Sequence, residues 1–176
     1  MGNTRDKSRK NTVASLGLYS HLAGQVGHGE MSVDIERQVV EVASPMGVIV
    51  GVIPATHPVA TFIFKVLIAL KGRNAIILCP SRRAREVSQH VGRLIQEQLH
   101  EADAPAALVQ WLGPGSSRET TTALMSHPDV ALVLATGGRA MVQSAYRSGN
   151  PAIGVGPGNA PALVSADANL QHVRRR

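Results

Sequence analysis

Five short apolar runs, regularly interleaved with longer stretches of helical pattern, constrain this chain more than any other feature. The runs are 47–53, 75–78, 106–111, 130–135 and 152–155. The first, from Gly47 to Ile53, is unbroken and rich in Val and Ile, which marks a strand covered on both faces. Pro58 then suits the first turn of a helix, with Thr56 or His57 as its cap, and Val59 to Leu70 is apolar nearly all round. Gly72 is expected to close that helix in a left-handed conformation. From Ala84 to Glu101 the residues Val87, Val91, Leu94, Ile95 and Leu99 fall on one helical stripe. Ser116 and Glu119 have capping-box spacing for a short helix that ends before His127-Pro128, and a further helix runs from Gly138 to Arg147 before Gly149. Strand and helix alternating through short connections require right-handed parallel crossovers. The predicted fold is therefore α/β, an open, mainly parallel, doubly wound (Rossmann-like) sheet covered on both faces.

Upstream of this unit the pattern is less regular. Residues 1–12 are charged and predicted to be a disordered tail, Val13 to Val26 a short helix, and the V-D-I-E-R-Q-V-V-E-V stretch over 33–42 a hairpin arm, which leaves 45–176 as the ligand-binding domain. With 176 residues, 44% of them hydrophobic but only 3% aromatic, the core must be aliphatic and rich in alanine. No run reaches the roughly 18 apolar residues of a membrane span, and no apolar signal core follows the charged amino terminus. The single cysteine, Cys79, rules out an internal disulfide and suits a reducing cytoplasm. Seven histidines without paired ligand spacing predict no metal. The net charge of +6 rests on basic clusters at 5–10, 82–85 and 174–176 that lack interleaved aromatics, so no nucleic-acid partner is expected.

In an open parallel sheet, ligands bind beyond the carboxyl ends of the strands. After the fourth strand, A-T-G-G-R-A-M-V places Thr136, Gly137 and Gly138 at a helix start, where free N–H groups and the helix dipole suit a phosphate. A tight turn alone would also explain the two glycines. G-V-G-P-G-N, from Gly154 through Gly156 to Asn159, has more glycine than a surface loop needs, yet it departs from the GxGxxG fingerprint; close backbone approach and a purely structural turn both fit. Thr56 and His57 stand at the mouth of the first turn, where a histidine serves as a cap, as a solvated residue or as a donor. Ser81, Arg82 and Arg83 follow the second strand, at the usual place for a ribose, and the arginines suit either solvent or a 2′-phosphate.

Two stretches, GVIVGVIPATHPVATFIFKVLIALKGRNAIILCPSRRA and HPDVALVLATGGRAMVQSAYRSGNPAIGVGPGNAPALV, resemble the coenzyme-binding domain of the CoA-acylating aldehyde dehydrogenases. The resemblance runs from about Pro45 to the end. It implies an oxidoreductase that converts an aldehyde, coenzyme A and NAD or NADP into an acyl-CoA and the reduced coenzyme. It also implies that Thr136, Gly137 and Gly138 lie against the pyrophosphate and nicotinamide side, while Ser81 and Arg82 face the adenosine ribose, with Thr56 and Gly156 as further coenzyme-binding residues. The family's first turn reads T-N-P, whose Asn helps hold the substrate oxygen; His57 stands there, a possible oxyanion donor. Hydrolytic relatives carry a glutamate base in an E-L-G-G-K segment near the glycine loop, and GVGPGN has no carboxylate, as in the acylating branch. The family's nucleophilic cysteine comes after N-A-P-A-L-V, beyond these 176 residues, so the resemblance assigns no catalytic residue to this chain and implies that it is inactive alone. A hydrolytic aldehyde or semialdehyde dehydrogenase fragment and a non-catalytic nucleotide-binding or assembly module are the competing readings. A homo-oligomer is expected, because incomplete segments leave apolar surface uncovered.

Overall fold

A computed structural model describes residues 3–159, 161 and 163–168. The basic cluster at 174–176 lies outside them. At the centre is a parallel five-stranded sheet built from β3 (Val48–Ile53), β4 (Ala75–Pro80), β5 (Val109–Trp111), β6 (Val130–Thr136) and β7 (Ala152–Val155), in the order β5-β4-β3-β6-β7. Four helices link them: α3 (Pro58–Lys71), α4 (Arg85–Glu101), α5 (Arg118–Met125) and α6 (Arg139–Tyr146). The sheet has two cores because successive residues of β3 face opposite sides. Ile49 and Ile53 join Phe62, Val66 and Ala69 of α3 and Val91 and Leu99 of α4. Val50 and Val52 join Met125 of α5 and Ala145 of α6 on the other face. The doubly wound α/β fold expected from the alternating runs is the fold observed.

Several local expectations are corrected. Residues 4–12 are helical rather than disordered: α1 (Thr4–Thr12) begins at Asn3, whose side chain accepts the Asp6 N–H at 2.9 Å, and it runs through a wide turn at Val13–Gly17 into α2 (Leu18–Ala23). The charge of this stretch hid a helix whose apolar residues begin only at Val13. The hairpin arm is longer than expected, with β1 (Gly29–Asp34) antiparallel to β2 (Val39–Ala43). Gly72 has φ −84°, and Arg73 takes the left-handed turn at φ 56°. Glycine is required at 72 because a Cβ there would meet Nδ2 of Asn74 at 2.8 Å, the atom that donates to the Gly72 carbonyl. The capping box lies one residue later than predicted, between Ser117 and Thr120. The third strand starts at Val109, after a 3-10 turn over Ala106–Leu108. Among the described residues no helix is long and apolar enough to cross a membrane.

Candidate functional site

Strand order reverses direction between β3 and β6, so the turns after Ile53 and Thr136 open on a common crevice, the usual ligand position in such sheets. There a buried lysine bridges the two strands, in the fork between the turns that follow them. Lys65 lies on the inward face of α3, one turn after Phe62, and is 3% exposed. Its Nζ donates to the carbonyls of Val52 at 2.7 Å and Leu134 at 2.5 Å, one on each strand. Gly51 lets the stem pass, since a Cβ there would stand 3.3 Å from Cδ of Lys65. Burial pulls the ammonium down to about 7, against a small opposing effect of Cys79. Two carbonyl acceptors match the two N–H bonds of a neutral amine, so the geometry tolerates loss of the proton. Lys65 was not singled out in the sequence, where Val59 to Leu70 reads as apolar nearly all round.

An open groove of about 1120 Å³ lies at the crevice mouth. Val13, Ala14 and Leu18 form one wall, Ala60 and Phe64 of α3 the other, and Thr56, His57, Thr136 and Val155 the floor. The structure thus brings together three of the residues singled out in the sequence: Thr56, His57 and Thr136. Beside Thr136, the Gly137 N–H is already spent on the Val155 carbonyl at 3.1 Å and extends the β6–β7 ladder. Gly138 is the N-cap of α6, and a Cβ added to it would have no neighbour within 4 Å. The N–H groups of Arg139 and Ala140, in the first turn of α6, have no intrahelical acceptor. Of the two glycines, Gly138 therefore faces open space at an unsatisfied helix start, and Gly137 acts through the fold.

The remaining candidates stand apart from this groove. Ser81 and Arg82 do not line it, and Ser81 Oγ is buried without a partner among the described residues. Arg82 and Arg83 are exposed on a 3-10 turn. The wall beside them is held by Arg85, whose guanidinium donates to the carbonyls of Pro114, at 2.6 Å, and Ser116. In the glycine loop, Gly154 is explained by packing alone: a Cβ would meet Val142 Cγ1 at 2.5 Å, and its N–H donates to the Tyr146 hydroxyl at 3.1 Å. Gly156 has open space around it. Cys79 is 2% exposed at the end of β4, and burial pushes its thiol up to about 12, with the Thr121 hydroxyl and Lys65 pulling the other way. A thiol held protonated inside a core is no nucleophile at neutral pH.

The α1 helix supplies two basic side chains that sequence reasoning placed in a tail. Lys7 Nζ donates to the Thr56 carbonyl, and Lys10 Nζ lies 2.8 Å from His57 Nε2. His57 caps α3 through its backbone, accepting the Thr61 N–H at 3.1 Å, and its imidazole makes no capping bond. Partial burial, then the charges of Lys10 and Lys7, hold its pKa below the ordinary histidine value. The signal for this cluster was the Asn3–Asp6 cap, which announces a helix within the charged run.

Comparison with known proteins agrees with this fold. The aldehyde dehydrogenase family profile matches residues 1–176. The chain is 42% identical over 171 residues to the bifunctional aldehyde-alcohol dehydrogenase AdhE of Escherichia coli K12, a match that covers 97% of this chain and 19% of that protein. An acetylating aldehyde dehydrogenase from Geobacillus thermoglucosidasius superposes with a TM-score of 0.85 at 41% identity, over 91% of this chain and 35% of that one. An engineered glycolyl-CoA reductase with bound NADP+ superposes with a TM-score of 0.68 at 32% identity, over 96% of this chain and 41% of that one. The chain thus spans a fifth to two fifths of the proteins it matches. With the fold and the profile in agreement, the chain belongs to the aldehyde dehydrogenase family.

Proposed function

We propose that the β3–β6 crevice binds a nicotinamide dinucleotide, NAD or NADP, and that these residues form the coenzyme-binding part of an enzyme interconverting an aldehyde and an acyl-CoA. The observation that carries this reading is Gly138: it faces open space at a helix start whose first N–H groups have no intrahelical acceptor, beside the switch point of the sheet. Those N–H groups and the helix dipole suit a pyrophosphate. Thr136 adds a hydroxyl, and Gly156 lets the coenzyme pass close to the chain. Once bound, the nicotinamide supplies the hydride acceptor of the reaction. The apolar groove beside it fits the carbon chain of an aldehyde or of the acyl group of an acyl-CoA, and His57 at its floor is the donor toward the carbonyl oxygen. Coenzyme A is the co-substrate in this reading, and the NADP+ of the related reductase supports the dinucleotide assignment. Ser81 and Arg82 lie off the groove and reach the adenosine end only if the coenzyme extends past β4. The lone buried thiol fits a cytoplasmic setting. Exposed Met31, Val33, Ile35, Val40 and Val42 on the hairpin support a homo-oligomer.

Gly138→Val is the direct test. A Cβ there meets no neighbour and the cost of Val at an N-cap is about 1 kcal/mol, so the variant should stay folded with a slightly lower melting midpoint, while NADH affinity measured by fluorescence titration should fall by more than about tenfold. Equal affinity would remove the phosphate assignment. Arg82 and Arg83 give a second measurement: replacing both with Ala should weaken NADP+ more than NAD+, because a guanidinium pairs with a 2′-phosphate that NAD+ lacks. Equal losses would reduce the pair to a general charge effect. For the 176 residues alone, acetyl-CoA-dependent NADH oxidation should be undetectable. Turnover that disappears in Cys79→Ser would contradict the burial of that thiol.

A further inference from the structure

We propose that Lys10 is a positioning residue that holds His57 as a neutral imidazole with its proton on Nδ1, and that this Nδ1–H is the donor offered to a carbonyl oxygen in the groove. The inference rests on the proposed reading of the crevice as an aldehyde or acyl-CoA site, and it adds to it the residue that sets the donor. An ammonium group has hydrogen-bond donors and no acceptor. At 2.8 Å from Lys10 Nζ, His57 Nε2 must therefore accept, so it carries no proton. A ring with a bare Nε2 is neutral only when Nδ1 bears the hydrogen, and the partner of one ring nitrogen thereby fixes the state of the other. Among the described residues Nδ1 has no hydrogen-bond partner, and the ring makes no cap to its own helix. Nδ1 is bonded to Cγ, as an asparagine amide nitrogen is, so the N–H projects the same number of bonds from the backbone.

Charge around the ring acts in the same direction. Lys7 and Lys10 from α1 face it, Asp6 and Arg9 of α1 and His21 of α2 line the same groove, and Lys65 of α3 is buried behind the fork. Partial burial, and after it the charges of Lys10 and Lys7, disfavour an imidazolium and lower the pKa of His57. A neutral donor flanked by a fixed cation strengthens as negative charge develops on a bound oxygen, whereas an imidazolium would push Lys10 away and open the contact. Lys10 is exposed, so its replacement leaves the cores untouched.

Long-range proton–nitrogen correlation spectra of the 15N-labelled 176-residue chain test this, with the His57 signals assigned by their loss in His57→Gln. At pH 7.5, His57 should show a bare Nε2 and a protonated Nδ1. Lys10→Met should return the ring to the Nε2–H form usual for a neutral histidine and raise its titration midpoint toward about 6.5. Lys10→Arg, which keeps a donor, should retain the Nδ1–H form. Propanamide, an unreactive carbonyl probe, should shift the Nδ1–H resonance in the parent and in Lys10→Arg but not in Lys10→Met. An Nε2–H ring in the parent, or a Lys10→Met spectrum identical to it, overturns the role of Lys10. Absence of any propanamide shift in the parent overturns the donor role. The tautomer needs no coenzyme, so loss of the coenzyme assignment in the Gly138→Val titration is a separate result.

Discussion

Urea unfolding followed from pH 7 to 12 should show stability rising to about pH 9, levelling to about 10.5 and falling beyond. Two buried groups produce this profile. The Lys65 ammonium is pulled down to about 7 from the ordinary 10.5, so between those values the unfolded chain holds a proton that the folded chain has released. Stability rises with pH wherever the unfolded state binds more protons, by about 1.4 kcal/mol per pH unit for one proton. The Cys79 thiol is pushed up to about 12 from 9.0, so from 9 to 12 the folded chain holds a proton that the unfolded chain has lost, and stability falls. The two slopes cancel where their windows overlap. The rise from pH 7 to 9 should amount to roughly 2–3 kcal/mol, a large part of the 5–15 typical of a domain. Lys65→Met should flatten the rising limb, and Cys79→Ala should remove the fall. A parent whose stability is constant from pH 7 to 9 would show that Lys65 keeps its proton inside the fork.

Phe62→Ala should destabilise the chain by about 3–5 kcal/mol and lower the melting midpoint by on the order of 10 °C. Phe62 is 0% exposed, sits in the core between α3, β4 and α4, and meets Trp111 edge to face with ring centroids 6.4 Å apart. Its removal takes apolar area from the core and leaves a cavity that the edge strand β5 borders. Phe64, two positions on, is 42% exposed on the wall of the groove. Phe64→Ala should change stability by less than about 1 kcal/mol. Calorimetric scans of the two variants decide the matter, and equal losses would place the groove wall inside the core.

The contrast between these phenylalanines shows how the sequence carries the fold. Strands β3, β4 and β6 are buried on both faces, so they read as unbroken Val, Ile and Leu runs, and α4 shows its buried stripe at Val91 and Leu99. The α1 helix shows no period, since Asn3 to Thr12 contains no apolar residue, and only the Asn3–Asp6 cap pair marks its start. The capping box slipped by one because Ser116, Ser117, Glu119 and Thr120 offer two registers, and the choice depends on Ser116 binding the Gly113 carbonyl instead. In the site, Thr56, His57 and Thr136 were visible as residues at strand ends. Lys65 was not, because its acceptors lie 13 and 69 positions away and only the sheet order brings them together. Gly154 looked like part of a ligand loop, yet its missing side chain makes room for Val142 and Tyr146.

Within the sheet, residues 48–111 and 130–155 form two blocks of adjacent strands that meet along the β3–β6 ladder. Mechanically, that ladder is a seam, and any shear of one block against the other must open it. Lys65 sits at the carboxyl end of the seam, where its two carbonyl contacts resist the first step of such an opening. His57 belongs to one block and Thr136 to the other. The spacing between the turn that would hold an oxygen and the turn that would hold a phosphate is therefore governed by a hydrogen-bonded seam riveted by a lysine, and only secondarily by the loops themselves.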